Sequence, residues 1–156
     1  MPLIQPNGTA TFPPAEVLDR EWGHEVILVA TEFYTLKHIF MNPNARGGLQ
    51  FHHKKDESGI VWSGRATVEY DKGDGALVKK MLLAGDCFRF PQGAVHRVTA
   101  GMDGFEYIEV STPYLNDRCH CEKDYGLEEE TGGLPSTNPE DVVTIPKGAG
   151  LCVTSE

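Results

Sequence analysis

Four side chains in this sequence have the types and spacing to hold a metal ion together: Gln50, His52, Glu57 and His96. In an extended strand successive side chains alternate between faces, so the amide oxygen of Gln50 and the imidazole of His52 point the same way and can share one ion. Glu57 follows after a short loop and adds a carboxylate. His96 has to arrive from a strand remote in sequence, and the segment before it is built to redirect the chain. There Gly85 permits a tight turn into a strand, Pro91 ends that strand, and Gly93 turns the backbone ahead of His96. Nitrogen and oxygen donors without a thiolate suit one divalent ion with positions open to water or substrate, and Zn, Mn, Fe, Ni and Co all satisfy the set. Taken singly, each residue has a plain structural explanation, a solvated histidine or an ordinary turn; the joint pattern is what points to an ion. His53, next to His52, faces the other side. Arg89 and Arg97 flank the second segment, able either to grip a carboxylate or phosphate or to form salt bridges at the rim.

Donors from such distant stretches meet only if the chain closes on itself. From His24 onward, short runs rich in Val, Ile, Phe, Tyr and Thr are broken by Gly, Asn, Asp and Pro at roughly the spacing of an all-β sandwich or barrel. We expect strands over 25–30, 34–42, 49–53, 59–62, 66–70, 76–83, 87–90, 96–100 and 105–111, with turns at 42–44, 71–75, 84–86 and 101–104. A Pro-rich arm with a short helical turn over 15–20 precedes them. Phe88, Phe90, Phe105 and Tyr107 read as barrel packing. The chain of 156 residues forms one domain. Its expected parts are an arm over 1–23, a barrel over 24–125 and an acidic tail over 126–156, in which 142–145 alone has strand character. The tail either drapes on the barrel or exchanges with a partner chain.

A formal charge of −9 and a pI near 5.1 argue against a nucleic-acid or anionic membrane surface, which cations must neutralise. A small molecule is the expected ligand. No run of apolar residues is long enough to span a bilayer, and the first residues lack the order of a signal peptide, so a cytoplasmic address is expected. Cys87, Cys119, Cys121 and Cys152 read as reduced cysteines, Cys87 facing a barrel interior. The alternative, soft-metal binding by Cys119 and Cys121 around His120, lacks a second Cys/His pair at zinc-site spacing.

The two segments resemble the two motifs of the cupins. His52, Glu57 and Gly64 match the first at its proper spacing, with Gln50 in place of the first histidine, and Gly85, Pro91, Gly93 and His96 match the second, with Ala100 in place of its final asparagine. The glutamine is shared with cupins of the type II phosphomannose isomerase kind. Lys37-His38-Ile39, Leu49 to His53, Lys55-Asp56-Glu57, Tyr114-Leu115 and Glu122 to Gly126 also follow that order, whereas His120 stands where those isomerases carry an arginine and Gly59 where they carry a tryptophan.

The resemblance implies a double-stranded β-helix, the jelly-roll barrel of the cupins, and a homodimer formed through edge strands. It implies that Lys37 and Glu109 face inward, as a proton-transferring pair or as a structural ion pair. It also implies a metal-dependent isomerase of a small sugar or sugar phosphate, whose charge would be carried by Arg89, Arg97 or Lys55. Two other readings keep the same site: a dioxygenase using a redox-active ion, and a carbohydrate-binding cupin without turnover.

Overall fold

The computed structural model describes residue 8, residues 10–130 and residues 134–145. Among the described residues nine antiparallel strands run in chain order: β1 (Glu16–Arg20), β2 (Gly23–Ala30), β3 (Thr35–Met41), β4 (Gln50–Phe51), β5 (Glu57–Asp71), β6 (Leu77–Leu83), β7 (Cys87–Phe90), β8 (His96–Ser111) and β9 (Cys119–His120). One path of pairing is β1-β2-β3-β8-β4-β9, and β5 pairs with β6, β7 and β8. The curled sheet is the jelly-roll barrel of a double-stranded β-helix. No helix among the described residues is long and apolar enough to cross a membrane.

Two long strands make the closure. The first part of β8 lies beside Ala66 to Tyr70 of β5, and its second part runs between β3 and Glu57 to Gly64. Between the halves the register slips: Gly64 opposes Phe105 and Ala66 opposes Ala100, so residues 101–104 form a bulge rather than the turn expected there. Gly64 and Gly104 make this corner possible. Both have positive φ, and a Cβ on Gly64 would lie 2.3 Å from the Gly104 carbonyl oxygen. The segments expected as two strands each are therefore single bent strands, because local turn chemistry does not distinguish a corner from a hairpin.

Alternation sets the interior. On β3, Thr35, Lys37, Ile39 and Met41 are buried and their neighbours are not. Ile39 and Met41 join Val61, Ala66, Val68, Leu82, Ala100 and Phe105 in an apolar core, while Lys37 continues the same face into a polar cavity. A smaller cluster of Ile27, Ala30 and Ile145 shows where the last described residues lie: Thr144 bridges Tyr114 and Ile145 is buried against β2. Two expectations are corrected. Residues 16–20 form β1, not a helical turn, because they pair along their whole length with β2. Cys87 is exposed, because on β7 it is Phe88 and Phe90 that turn inward. Cys152 lies outside the described residues.

Candidate metal centre

The loop between β4 and β5 carries His52 and Glu57, and its shape is held by one buried carboxylate. Asp117 accepts backbone N–H bonds from His53 at 3.0 Å, Lys54 at 2.6 Å and Lys55 at 2.8 Å, and its own carbonyl oxygen accepts from His52 Nδ1 at 2.5 Å. Burial works against this carboxylate, but the three amides hold it below the usual aspartate range. The second segment is tied to the first where Gly93 N–H donates to the His52 carbonyl at 2.9 Å. His96 is then fixed by a bond from Nδ1 to the Ala94 carbonyl, 2.9 Å, and by stacking on Phe90 at 4.0 Å with rings 4° apart.

These constraints bring His52, Glu57 and His96 to one point, with a donor atom from each lying within 4.8 Å of the others. Glu57 Oε1 is 2.7 Å from His52 Nε2 and 3.3 Å from His96 Nε2. Because both Nδ1 atoms meet carbonyl oxygens, which only accept, each must carry hydrogen there, so that in the neutral form each Nε2 turns a lone pair toward an acidic oxygen. Protonating His52 would relieve the clash, yet burial and then the nearby Lys55 ammonium push its pKa down to about 4. Glu57 stays ionised: Lys55 and His52 outweigh its burial and hold it well below the usual range. Two imidazole lone pairs and a carboxylate converging in a buried site are complementary to a divalent cation, so the residues fit the ion the motifs imply. Gln50 lines the same cavity and sits opposite His96 in the sheet register.

The cavity, about 130 Å³, also takes in Lys37, Lys55, Arg97 and Glu109. Lys55 is 2.9 Å from Glu57 Oε2; burial disfavours its charge, but Glu57 and Glu109 hold the ammonium above the ordinary range. Lys37 pairs with Glu25 at 2.7 Å, and Arg20 donates to the same carboxylate at 2.6 Å. Against the cost of burial, Lys37 and Arg20 lower Glu25 to about 2. Glu109 lies across from Lys37 in the register, and its Oε1 has no hydrogen-bond partner among the described residues. Burial, and then the charge of Glu57, raise it to about 7. Arg97 is buried against Glu69 at 2.7 Å. Arg89 is elsewhere: it is exposed, directed away from the cavity, and bonded to Asp56. His53 is half-buried outside the cavity, its ring edge-on to Phe51.

Sequence reasoning missed four residues here: Glu25, Tyr107, Asp117 and Arg118. Tyr107 had a signal, since it shares strand parity with Phe105 and Glu109; burial, and then Glu109, raise its pKa and keep the phenol protonated. Asp117 and Arg118 had none, lying in an irregular segment far from either motif. The two departures also find their places. A Cβ at Gly59 would lie 2.5 Å from the Phe88 ring, so Phe88 fills the space a larger residue would take. His120 is buried beside Glu122 and bonds the Leu134 carbonyl through Nε2.

Comparison with known proteins agrees with this architecture. No curated protein sequence matches the chain significantly. Among solved structures, KdgF from Halomonas sp. is similar at TM-score 0.55 and 21% identity, over 62% of this chain and 84% of that one. Oxalate decarboxylase from Bacillus subtilis is similar at TM-score 0.64 and 18% identity, over 91% of this chain and 47% of that one. The capsular polysaccharide assembling protein CapF from Staphylococcus aureus gives 0.59 and 16%, over 69% and 34%. This chain thus spans about a third of CapF and half of the decarboxylase, and these likenesses establish the fold. The family model described as "Mannose-6-phosphate isomerase C-terminal" matches residues 13–119, well over half of the sequence. The chain belongs to that family, and through it to the cupins.

Proposed function

We propose that this protein is a metal-dependent isomerase of a small sugar or sugar phosphate, interconverting aldose and ketose, with Gln50, His52, Glu57 and His96 as the ligands of one divalent ion. The observation that carries the reading is a single cavity uniting a cation-complementary triad with a buried carboxyl, Glu109, poised to lose or gain a proton near neutrality. When bound, the ion would polarise adjacent carbonyl and hydroxyl oxygens of an open-chain sugar and acidify the C–H beside them. Glu109 takes that proton through its unpartnered oxygen and returns it to the neighbouring carbon. Lys37, opposite Glu109, offsets the negative charge of its ionised form. Tyr107 keeps its hydroxyl proton and donates to a substrate oxygen. The size of the cavity admits a small molecule and excludes an enclosed polymer.

The test is an anaerobic incubation of aldoses and their phosphates in D₂O, followed by NMR. Wild type is expected to place deuterium at C1 or C2, and Glu109→Gln to slow this by about 10² to 10⁴. Oxygen uptake on another substrate without exchange would indicate the dioxygenase, and sugar binding with neither would indicate a carbohydrate-binding cupin. The reading extends to a homodimer, supported by the exposed Trp62, Met81 and Leu83 on the outer face of β5 and β6. Light scattering gives its mass directly, and a monomer would refute it.

A further inference from the structure

The cations named from sequence as carriers of the substrate's charge are already neutralised within the protein. Arg89 lies outside, on Asp56; Arg97 is held by Glu69 and Lys55 by Glu57. Lys37, named for proton transfer instead, is likewise held by Glu25. Arg118 differs from all of them. Its guanidinium makes no hydrogen bond or ion pair with any described residue, although it lines the main cavity and the smaller one behind it, about 40 Å³. Burial lowers its pKa from the ordinary arginine value, the mark of a cation drawn out of water without a partner close enough to repay the loss. Glu25, the acid that most favours its charge, is committed to Lys37 and Arg20. Asp117, the next, is committed to three backbone amides.

Its location is specified by the metal centre. The carbonyl of Asp117, the preceding residue, orients His52, so the backbone that positions Arg118 also positions a candidate ligand. A small molecule held at the triad therefore has a planar, five-donor cation within the same enclosure. A guanidinium with free nitrogens in a closed space is matched by a carboxylate or a phosphate monoester, which accept two parallel N–H bonds.

We propose that Arg118 is the anion-recognition residue of the cavity, and that the substrate is a sugar bearing a carboxylate or phosphate rather than a neutral one. This rests on the sugar reading above for the rest of the ligand, while the charge selection stands on Arg118 alone. The site differs from the four cations set aside because an incoming anion displaces no internal carboxylate from Arg118.

The experiment measures binding by calorimetry to the full chain as purified, using matched pairs: mannose with mannose 6-phosphate, and glucose with glucuronate. Wild type is expected to bind one charged member at least about tenfold tighter than its neutral partner, and the pair that shows the preference identifies phosphate or carboxylate. In Arg118→Met the preference is expected to fall to within about twofold, with Arg118→Lys intermediate because it keeps the charge but not the fork. Arg118→Gln, checked by circular dichroism, serves if the Met variant does not fold. Equal binding of charged and neutral members by wild type, or an undiminished preference in Arg118→Met or Arg118→Gln, would overturn the assignment. Exchange in D₂O separates the two readings. Loss of charge preference in the variants with no exchange on any sugar leaves Arg118 standing and removes the isomerase. Exchange on neutral and charged sugars alike, without preference, does the reverse.

Discussion

A histidine that gives its Nδ1 hydrogen to a carbonyl has chosen where its lone pair points. His52 and His96 both make that choice, and both Nε2 atoms face Glu57. Removing His96 is expected to lower affinity for the ion by more than about 100-fold, beyond the effect of losing an orienting partner, and Gln50→Ala to lower it less. Elemental analysis should find about one ion per wild-type chain; equal metal in wild type and both variants would rule the site out. Glu25 makes a separate prediction. Its pKa near 2 is below the ordinary glutamate value of 4.5, so it adds stability above pH 4.5 that is lost as pH falls toward 2. Glu25→Gln would leave the buried Lys37 and the half-buried Arg20 without their anion, costing about 3–5 kcal/mol at neutral pH. The gap between variant and wild type should narrow by about pH 3, as denaturant melts at the two pH values would show.

At the scale of elements, the loop after β4 is shaped from outside itself. Its three amides and the His52 ring all hang on Asp117, 60 or so residues later, and the segment holding Asp117 has no regular structure to announce it. Asp117→Ala would strand three amides and is expected to cost about 2–4 kcal/mol, with a roughly 10- to 100-fold loss of metal affinity. Thermal melts and metal titration check the two parts; unchanged metal affinity would mean the loop holds its shape unaided. The regular elements were easier to read. The alternation on β3 and β7 is a local property of side-chain type, so Lys37 inside and Phe88 and Phe90 inside follow from parity. Applying the same parity to Cys87 corrects its expected position. The corner at Gly64 and Gly104 and the pairing of β1 with β2 depend instead on which strands meet, a matter of long-range contact.

For the whole molecule, an ion that binds the closed barrel and not the open chain adds to stability by mass action, about 4 kcal/mol when present at 1,000 times its dissociation constant. Chelation should therefore lower the melting temperature of wild type and leave that of the His96→Ala variant unchanged; equal shifts in both would place the ion elsewhere. The amino-acid sequence by itself determined the class of fold, most of the strand positions from residue 25 on, and three donors that converge, His52, Glu57 and His96, because strand parity, turn residues and motif spacing are written locally. Only the tertiary structure decided that Glu109 keeps an unpartnered oxygen, that Arg89 belongs to the surface, and that Arg118 stands uncompensated beside the site. Burial and charge pairing are properties of neighbours in space, and closing the sheet brings together residues that no spacing in the chain relates.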